Sequence, residues 1–197
     1  MIRNPRVMDD HVGPEATILV VDDEERVTDL YATYLEDLYS VRRAYGGQEA
    51  LAALDDDVGV VLLDRRMPEL SGDEVLKRIR EEGYDCRVVM VTAIEPDFDI
   101  VDMQFDEYLV KPATEADVKD AVETQLLLDS YDTRLDEYFR LKAKLSTLED
   151  QKPYIELEAD DRYEELTVLA ESLREDLERM LREYDELDFS ASEFEDA

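Results

Sequence analysis

The stretch VGVVLLDRRMPELSG, Val58 to Gly72, decides how this chain folds. Val60, Val61, Leu62 and Leu63 form an unbroken apolar run, the pattern of a strand buried on both faces. Asp64 falls where that strand ends. Met67-Pro68 turns the chain, because proline fixes φ and cannot continue a central strand. Ser71 then caps a helix, with Glu74 as its reciprocal partner three residues on. A carboxylate at the carboxyl end of a buried parallel strand stands where open α/β sheets bind ligands. An ordinary strand-end aspartate gives the same local pattern, so this stretch alone does not decide function.

Working outward, apolar runs and helical stripes alternate. ATILVV (16–21) reads as a strand ending in Asp22-Asp23. Glu25 to Leu38 carries a helical stripe at Val27, Leu30, Tyr31, Tyr34, Leu35 and Leu38. YSVRRA (39–44) is a short strand, and Gly47 to Leu54 a short helix. Ser71 to Glu82 repeats Val75, Leu76 and Ile79 at helical spacing before Gly83 stops it. CRVVMV (86–91) is a strand ending at Thr92, Pro96 to Met103 a weak helix, and EYLV (107–110) a last strand ending at Lys111-Pro112. Thr114 and Asp117 form a capping box for a further helix. Alternation of this kind predicts a doubly wound α/β domain: a five-stranded parallel sheet with right-handed crossovers, strand order 2-1-3-4-5.

The last helix continues past the domain edge, since no Gly or Pro interrupts Glu115 to Gln151. Pro153 breaks it, and a second helix is expected from about Asp161 to Leu187. There Tyr163, Ala170, Leu177 and Tyr184 alternate with Leu166, Leu173, Met180 and Leu187 in a 3–4 spacing. This predicts an acidic α-helical hairpin or coiled-coil extension, its seam closing within one chain or between two. The expected division is a disordered arm at 1–15, the α/β domain at 16–128, the helical extension at 129–187 and a frayed tail at 188–197.

The whole chain of 197 residues carries a formal charge of −32, from 54 acidic and 22 basic residues. Dispersed acid with Arg favoured over Lys resembles proteins of salt-loving archaea, where a Debye length of about 3 Å at 1 M salt screens self-repulsion; an acidic protein of an ordinary cytoplasm is the alternative. The single Cys86 excludes an internal disulfide, and its apolar run marks it as core. The single His11 lies in the arm, which removes His-based metal sites and His-dependent nucleophiles. No apolar run approaches membrane-spanning length and no signal peptide is evident, so the expectation is a cytoplasmic protein with no membrane partner.

Four polar features stand at strand carboxyl ends: Asp22-Asp23, Asp64, Thr92 and Lys111. The expected strand order brings them to one rim. Clustered carboxylates are costly unless neutralised, and a hard divalent cation such as Mg²⁺ neutralises them while leaving room for phosphate oxygens. With a hydroxyl and an ammonium alongside, the set proposes an Asp that accepts a phosphoryl group.

The set Asp22-Asp23, Asp64-x-x-Met67-Pro68-x-x-x-Gly72, Thr92-Ala93 and Tyr108-x-x-Lys111-Pro112 resembles the receiver domain of two-component response regulators. The resemblance implies Asp64 as phosphoacceptor, Asp23 as a direct Mg²⁺ ligand, Asp22 acting through water, and the main-chain carbonyl of Arg66 as a further ligand. It also implies Thr92 and Lys111 on the phosphoryl oxygens, a cis Lys111–Pro112 peptide, Thr92 with Tyr108 as a switch pair, and a sensor histidine kinase as partner. Tyr108 reads equally as an ordinary half-buried strand residue. Gln104-Phe105 stands where the family usually has Gly-Ala. Arg66 and Ile94, two residues after Asp64 and Thr92, supply no base to orient water, which predicts a long-lived phosphorylated state. The tail resembles the HalX-type helical extension of haloarchaeal receiver proteins.

Three outputs follow from these readings. The helical extension dimerises or docks on a partner when Asp64 is phosphorylated. Alternatively the chain is a DNA-binding transcriptional regulator, which the acidic tail does not favour, since residues 129–197 hold 23 acidic and 9 basic residues. In the third, it is a phosphoryl relay intermediate. A turnover phosphatase of the haloacid-dehalogenase type is disfavoured, because Arg66 stands where its second Asp is needed. The chain is therefore expected to catalyse its own phosphorylation and dephosphorylation without being a turnover enzyme.

Overall fold

The computed structural model describes residues 16–192. The expected arm at 1–15 and the last part of the expected tail, 193–197, lie outside the described residues. Two compact units divide the chain, residues 1–122 and 123–197.

In the first unit, β1 (Thr17–Val21), β2 (Ser40–Ala44), β3 (Val58–Leu63), β4 (Arg87–Thr92) and β5 (Glu107–Val110) form one parallel sheet in the order β2-β1-β3-β4-β5. β1 and β3 lie inside the sheet, and their continuous apolar runs follow from burial on both faces: Ile18, Val60, Val61 and Leu63 are fully buried. Val21 pairs with Leu63 in register, so Asp22 and Asp64 leave adjacent strands at the same level.

Helices α1 (Glu25–Leu35), α2 (Gly47–Ala53) and α3 (Gly72–Glu82) supply the first crossovers. α3 starts on the expected capping box, Ser71 with Glu74, and ends on Gly83 at φ 79°, a left-handed conformation that glycine adopts without a Cβ penalty. α1 departs from the stripe read in the sequence. Its buried face is Thr28, Tyr31, Ala32 and Leu35, a strict i, i+3, i+4, i+7 set, while Leu30 and Leu38 are exposed. The helix also ends at Leu35, three residues short of Leu38.

The fourth crossover corrects a second expectation. Between Pro96 and Met103 only a single 3-10 turn forms, Phe98–Ile100, and Phe98 and Val101 are exposed. A helix this short needs a packed apolar face to hold it, and Phe98 and Val101 supply none, although Met103 packs against the core.

Helix α4 (Glu115–Gln151) opens on the Thr114–Asp117 capping box and continues from the first unit into the second. α5 (Tyr154–Glu158), absent from the sequence reading, follows Pro153, whose fixed φ suits a helix start. α6 runs from Asp161 to Ser192, past the expected end near Leu187. Within the second unit Leu141, Leu145, Ala170 and Leu173 form one buried cluster, flanked by Tyr138, Tyr163 and Leu166. Arg134 pairs with Asp176 at 2.8 Å, and the Tyr163 hydroxyl donates to Glu149 at 2.9 Å. The middle of α4 thus meets the middle of α6 and late α4 meets early α6, the pairing of an antiparallel hairpin. Tyr163, Leu166, Ala170 and Leu173 of the expected seam pack against α4 of the same chain.

Candidate functional site

The carboxyl ends of β1, β3, β4 and β5 meet at one rim, as the strand order requires. Asp22 and Asp64 are both buried there, at 3% and 6% exposure. The Lys111 ammonium lies between them, donating to Asp64 Oδ1 at 2.8 Å and also to Asp22 Oδ2. Lys111 is delivered by β5, its main-chain amide donating to the Thr92 carbonyl at 2.8 Å. The Lys111–Pro112 peptide bond is cis.

Asp64 is held from the main chain as well. Its amide donates to the Val21 carbonyl at 2.9 Å, and its Oδ2 accepts from the Arg66 amide at 2.7 Å. Burial raises the Asp64 carboxyl above its ordinary pKa; Lys111 opposes that shift and the neighbouring Asp22 charge adds to it. Burial pulls the Lys111 ammonium down, but its bonds to Asp22 and Asp64 together outweigh that and leave its pKa raised.

The loop behind Asp64 is tightly built. A Cβ on Gly72 would stand 2.1 Å from the Asp64 carbonyl oxygen, so only glycine allows this approach. The Gly72 amide donates to the Arg65 carbonyl at 2.9 Å, and the buried Arg65 guanidinium pairs with Asp73 at 3.0 Å. Glu69 takes φ 65°, the left-handed region, without being glycine.

Thr92 is buried at the end of β4. Tyr108 is half-buried, and its hydroxyl donates to the Ile94 carbonyl at 2.9 Å. Phe105, at the position where Gly-Ala was expected, packs its ring 5.5 Å from that of Tyr108. The structure therefore brings together Asp22, Asp64 and Lys111, with Thr92 tied to Lys111 through the main chain. Asp23 is exposed. Among the described residues no group of three or more His, Cys, Asp or Glu side chains is gathered closely enough to hold a metal ion by side chains alone.

Two residues at this rim escaped the sequence reading. Thr28 is fully buried in α1 and its hydroxyl donates to the Asp22 carbonyl at 2.9 Å. Arg65, beside the exposed Arg66, is buried. A hydroxyl at an otherwise apolar stripe position was the available signal for Thr28, and it emerges only once Leu30 and Leu38 are left out of the stripe and Ala32 joins Tyr31 and Leu35. Cys86 carries no chemistry: it is buried, and burial pushes its thiol up to about 11.

Comparison with known proteins agrees with this geometry. The response regulator receiver domain family matches residues 18–123, and the HalX domain family matches residues 127–196. The chain belongs to the response regulator receiver family, with a HalX domain after it. A Haloferax volcanii protein provisionally described as a transcriptional regulator is 44% identical over 181 residues, 91% of this chain and 31% of that protein. Response regulator SaeR of Staphylococcus aureus is 31% identical over 99 residues, 48% of this chain and 43% of SaeR. The chain thus spans less than half the length of either relative. Among solved structures, the BeF3-activated receiver domain of DrrB, a Thermotoga maritima protein, superposes with a TM-score of 0.53 at 25% identity, covering 56% of this chain and 97% of that one. Receiver domains of this family act in two-component signalling. No helix among the described residues is long and apolar enough to cross a membrane.

Proposed function

We propose that this chain accepts a phosphoryl group on Asp64 from a sensor histidine kinase, with Mg²⁺ as cofactor, and that its HalX hairpin conveys the change by dimerisation or by binding a protein partner. The observation that carries the reading is the Lys111 ammonium seated between two buried carboxylates, 2.8 Å from Asp64 Oδ1. In the transfer an Asp64 oxygen forms a bond to phosphorus as the bond from phosphorus to the kinase histidine nitrogen breaks, and that nitrogen keeps the electron pair. The Arg66 amide holds the Asp64 carboxylate in a fixed plane for this attack. Lys111 supplies positive charge to the incoming phosphoryl oxygens, and the Thr92 hydroxyl offers a donor at the neighbouring strand end.

The donors at the rim fit magnesium: the carboxylates of Asp22, Asp23 and Asp64 and the Arg66 carbonyl are all hard oxygens, and Asp64 is raised in pKa by its burial, a carboxylate short of compensating charge. Magnesium, when bound there, neutralises charge on the transferring group. Tyr108, held by its bond to the Ile94 carbonyl, is the residue whose release would report movement of Thr92.

The test is labelling with acetyl phosphate or a phosphorylated kinase domain, in molar KCl with Mg²⁺, of the wild-type chain and Asp64→Asn. The wild type takes the label and the variant does not. Equal labelling of both sinks the reading.

A second output, regulation of transcription through DNA, is favoured by the description of the Haloferax relative. It is opposed by the charge of the hairpin, whose acidic excess repels phosphate at low salt. A gel shift in molar KCl against genomic fragments distinguishes the two.

A further inference from the structure

We propose that Thr28 is a positioning residue for the metal site: its buried hydroxyl sets the plane of the Asp22–Asp23 peptide and with it the reach of the Asp23 carboxylate. The inference rests on the phosphoacceptor reading above. Val21 is the last paired residue of β1, so the carbonyl of Asp22 lies beyond the sheet ladder. Besides the bond from the Lys111 ammonium to its Oδ2, three bonds hold residue 22 there. Its amide donates to the Ala44 carbonyl at 3.2 Å, its Oδ1 accepts from the Glu24 amide at 2.9 Å, and its carbonyl accepts from the Thr28 hydroxyl at 2.9 Å. The first two orient the amide and side chain of Asp22. Only the third acts on the peptide plane that leads into Asp23.

Thr28 also behaves unlike three other helical threonines of the chain. Thr33, Thr147 and Thr167 each turn the hydroxyl back on the carbonyl four residues earlier in their own helix. Thr28 reaches six residues back, out of α1, to a strand end. Its position belongs to the apolar stripe of α1 and is fully buried, where a hydroxyl costs free energy unless it is bonded. Groups that orient metal ligands from behind typically change metal affinity 10- to 100-fold when removed.

The experiment is a Mg²⁺ titration of the full chain in molar KCl, followed by tyrosine fluorescence, for the wild type, Thr28→Val, Thr28→Ala, Thr28→Ser and Thr33→Val. Loss of the hydroxyl in Thr28→Val and Thr28→Ala weakens Mg²⁺ binding by about tenfold or more. Thr28→Ser, which keeps the donor, and Thr33→Val, which removes an exposed helix bond, stay near the wild type. In acetyl phosphate labelling the half-saturating Mg²⁺ concentration rises by the same factor for Thr28→Val, while the rate at saturating Mg²⁺ returns close to that of the wild type. Wild-type affinity in a folded Thr28→Val or Thr28→Ala chain overturns the inference, as does a Thr28→Ser chain as weak as Thr28→Val. A wild-type chain that binds no Mg²⁺ and takes no label overturns the phosphoacceptor reading itself.

Discussion

Lys111 Nζ stands 2.8 Å from Asp64 Oδ1, and the same ammonium bonds Asp22. Its charge compensates the two buried carboxylates that share this rim. Replacing it with methionine leaves both acids without compensation, at a cost of about 3 kcal/mol. The loss depends on pH in a defined direction. Burial raises the Asp64 pKa, so the folded state binds more protons than the unfolded one, and stability falls as pH rises through that group's titration. Lys111→Met should therefore melt lower than the wild type at pH 8 and recover part of the difference at pH 5. The contribution of Lys111 in the wild type has the opposite limit: its pKa is raised above 10.5, so its stabilisation is complete below that value and lost as pH climbs through the folded pKa. Thermal melts from pH 5 to pH 11 check both limbs; a deficit in Lys111→Met that grows towards pH 5 contradicts the account.

Gly72 carries its own prediction. A methyl group there meets the Asp64 carbonyl oxygen at 2.1 Å, a backbone atom that cannot swing away. Gly72→Ala should cost about 3 kcal/mol, and it should slow labelling by acetyl phosphate because the strain falls on the residue that would accept the phosphoryl group. An unchanged melting temperature would show that the loop has slack which the geometry denies.

Glu69, three residues earlier, predicts a gain. At φ 65° a non-glycine residue pays a steric penalty of roughly 1–2 kcal/mol that glycine avoids. Its side chain is exposed, so little is lost on removing it. Glu69→Gly should raise stability by up to about 1 kcal/mol, the remainder being lost to the greater freedom of the unfolded chain. Denaturant titration in molar KCl measures it, and a destabilised variant would contradict the prediction.

How much of this was legible in the residues depended on whether a local pattern had one physical reading. Val60 to Leu63 could only be a buried strand, and Ser71–Glu74 and Thr114–Asp117 could only be helix starts, because each motif satisfies backbone donors by itself. The strand ends then placed Asp22, Asp64, Thr92 and Lys111 on one rim once the sheet order was assigned. What failed was registration. The stripe of α1 was drawn through Leu30 and Leu38, both exposed, because hydrophobicity alone does not distinguish a helix edge from its face; the true face includes a threonine. Pro96 to Met103 was read as a weak helix, but Phe98 and Val101 are exposed and no core claims them. Lys111 was expected at this rim, and its simultaneous bonds to both acids are a matter of three-dimensional charge balance that spacing does not encode.

The charge of −32 predicts a salt requirement. At 0.1 M ionic strength the Debye length is about 10 Å, long enough for neighbouring surface carboxylates to repel; near 1 M it is about 3 Å. Lowering KCl from 3 M to 0.1 M should reduce the melting temperature by on the order of 10 °C. Addition of Mg²⁺ at low salt should restore part of it by closing the rim, and more so in the wild type than in Asp64→Asn. Equal melting temperatures at both salt concentrations would mean that the acidic surface carries no stability cost.

The hairpin supplies a last prediction, since its seam is filled from one chain. Leu141, Leu145, Ala170 and Leu173 bury one another, and the Arg134–Asp176 and Tyr163–Glu149 bonds fix the two helices antiparallel. A seam closed within the chain melts at a temperature independent of protein concentration, whereas one shared by two chains melts higher as concentration rises. Melting followed by circular dichroism across a hundredfold concentration range should therefore show a constant midpoint for the hairpin. Leu173→Ala removes a buried side chain from the cluster and should cost about 2–3 kcal/mol, with little recovery because two helices have few neighbours to collapse inward. If output proceeds by dimerisation, it must then use surface outside this seam, where Phe139, Val168 and Leu181 are exposed. A beryllofluoride-treated chain should accordingly change its mass by light scattering without changing the hairpin's own midpoint in Leu173→Ala relative to its untreated form. A midpoint that climbs with concentration in the untreated wild type would place the seam between chains instead.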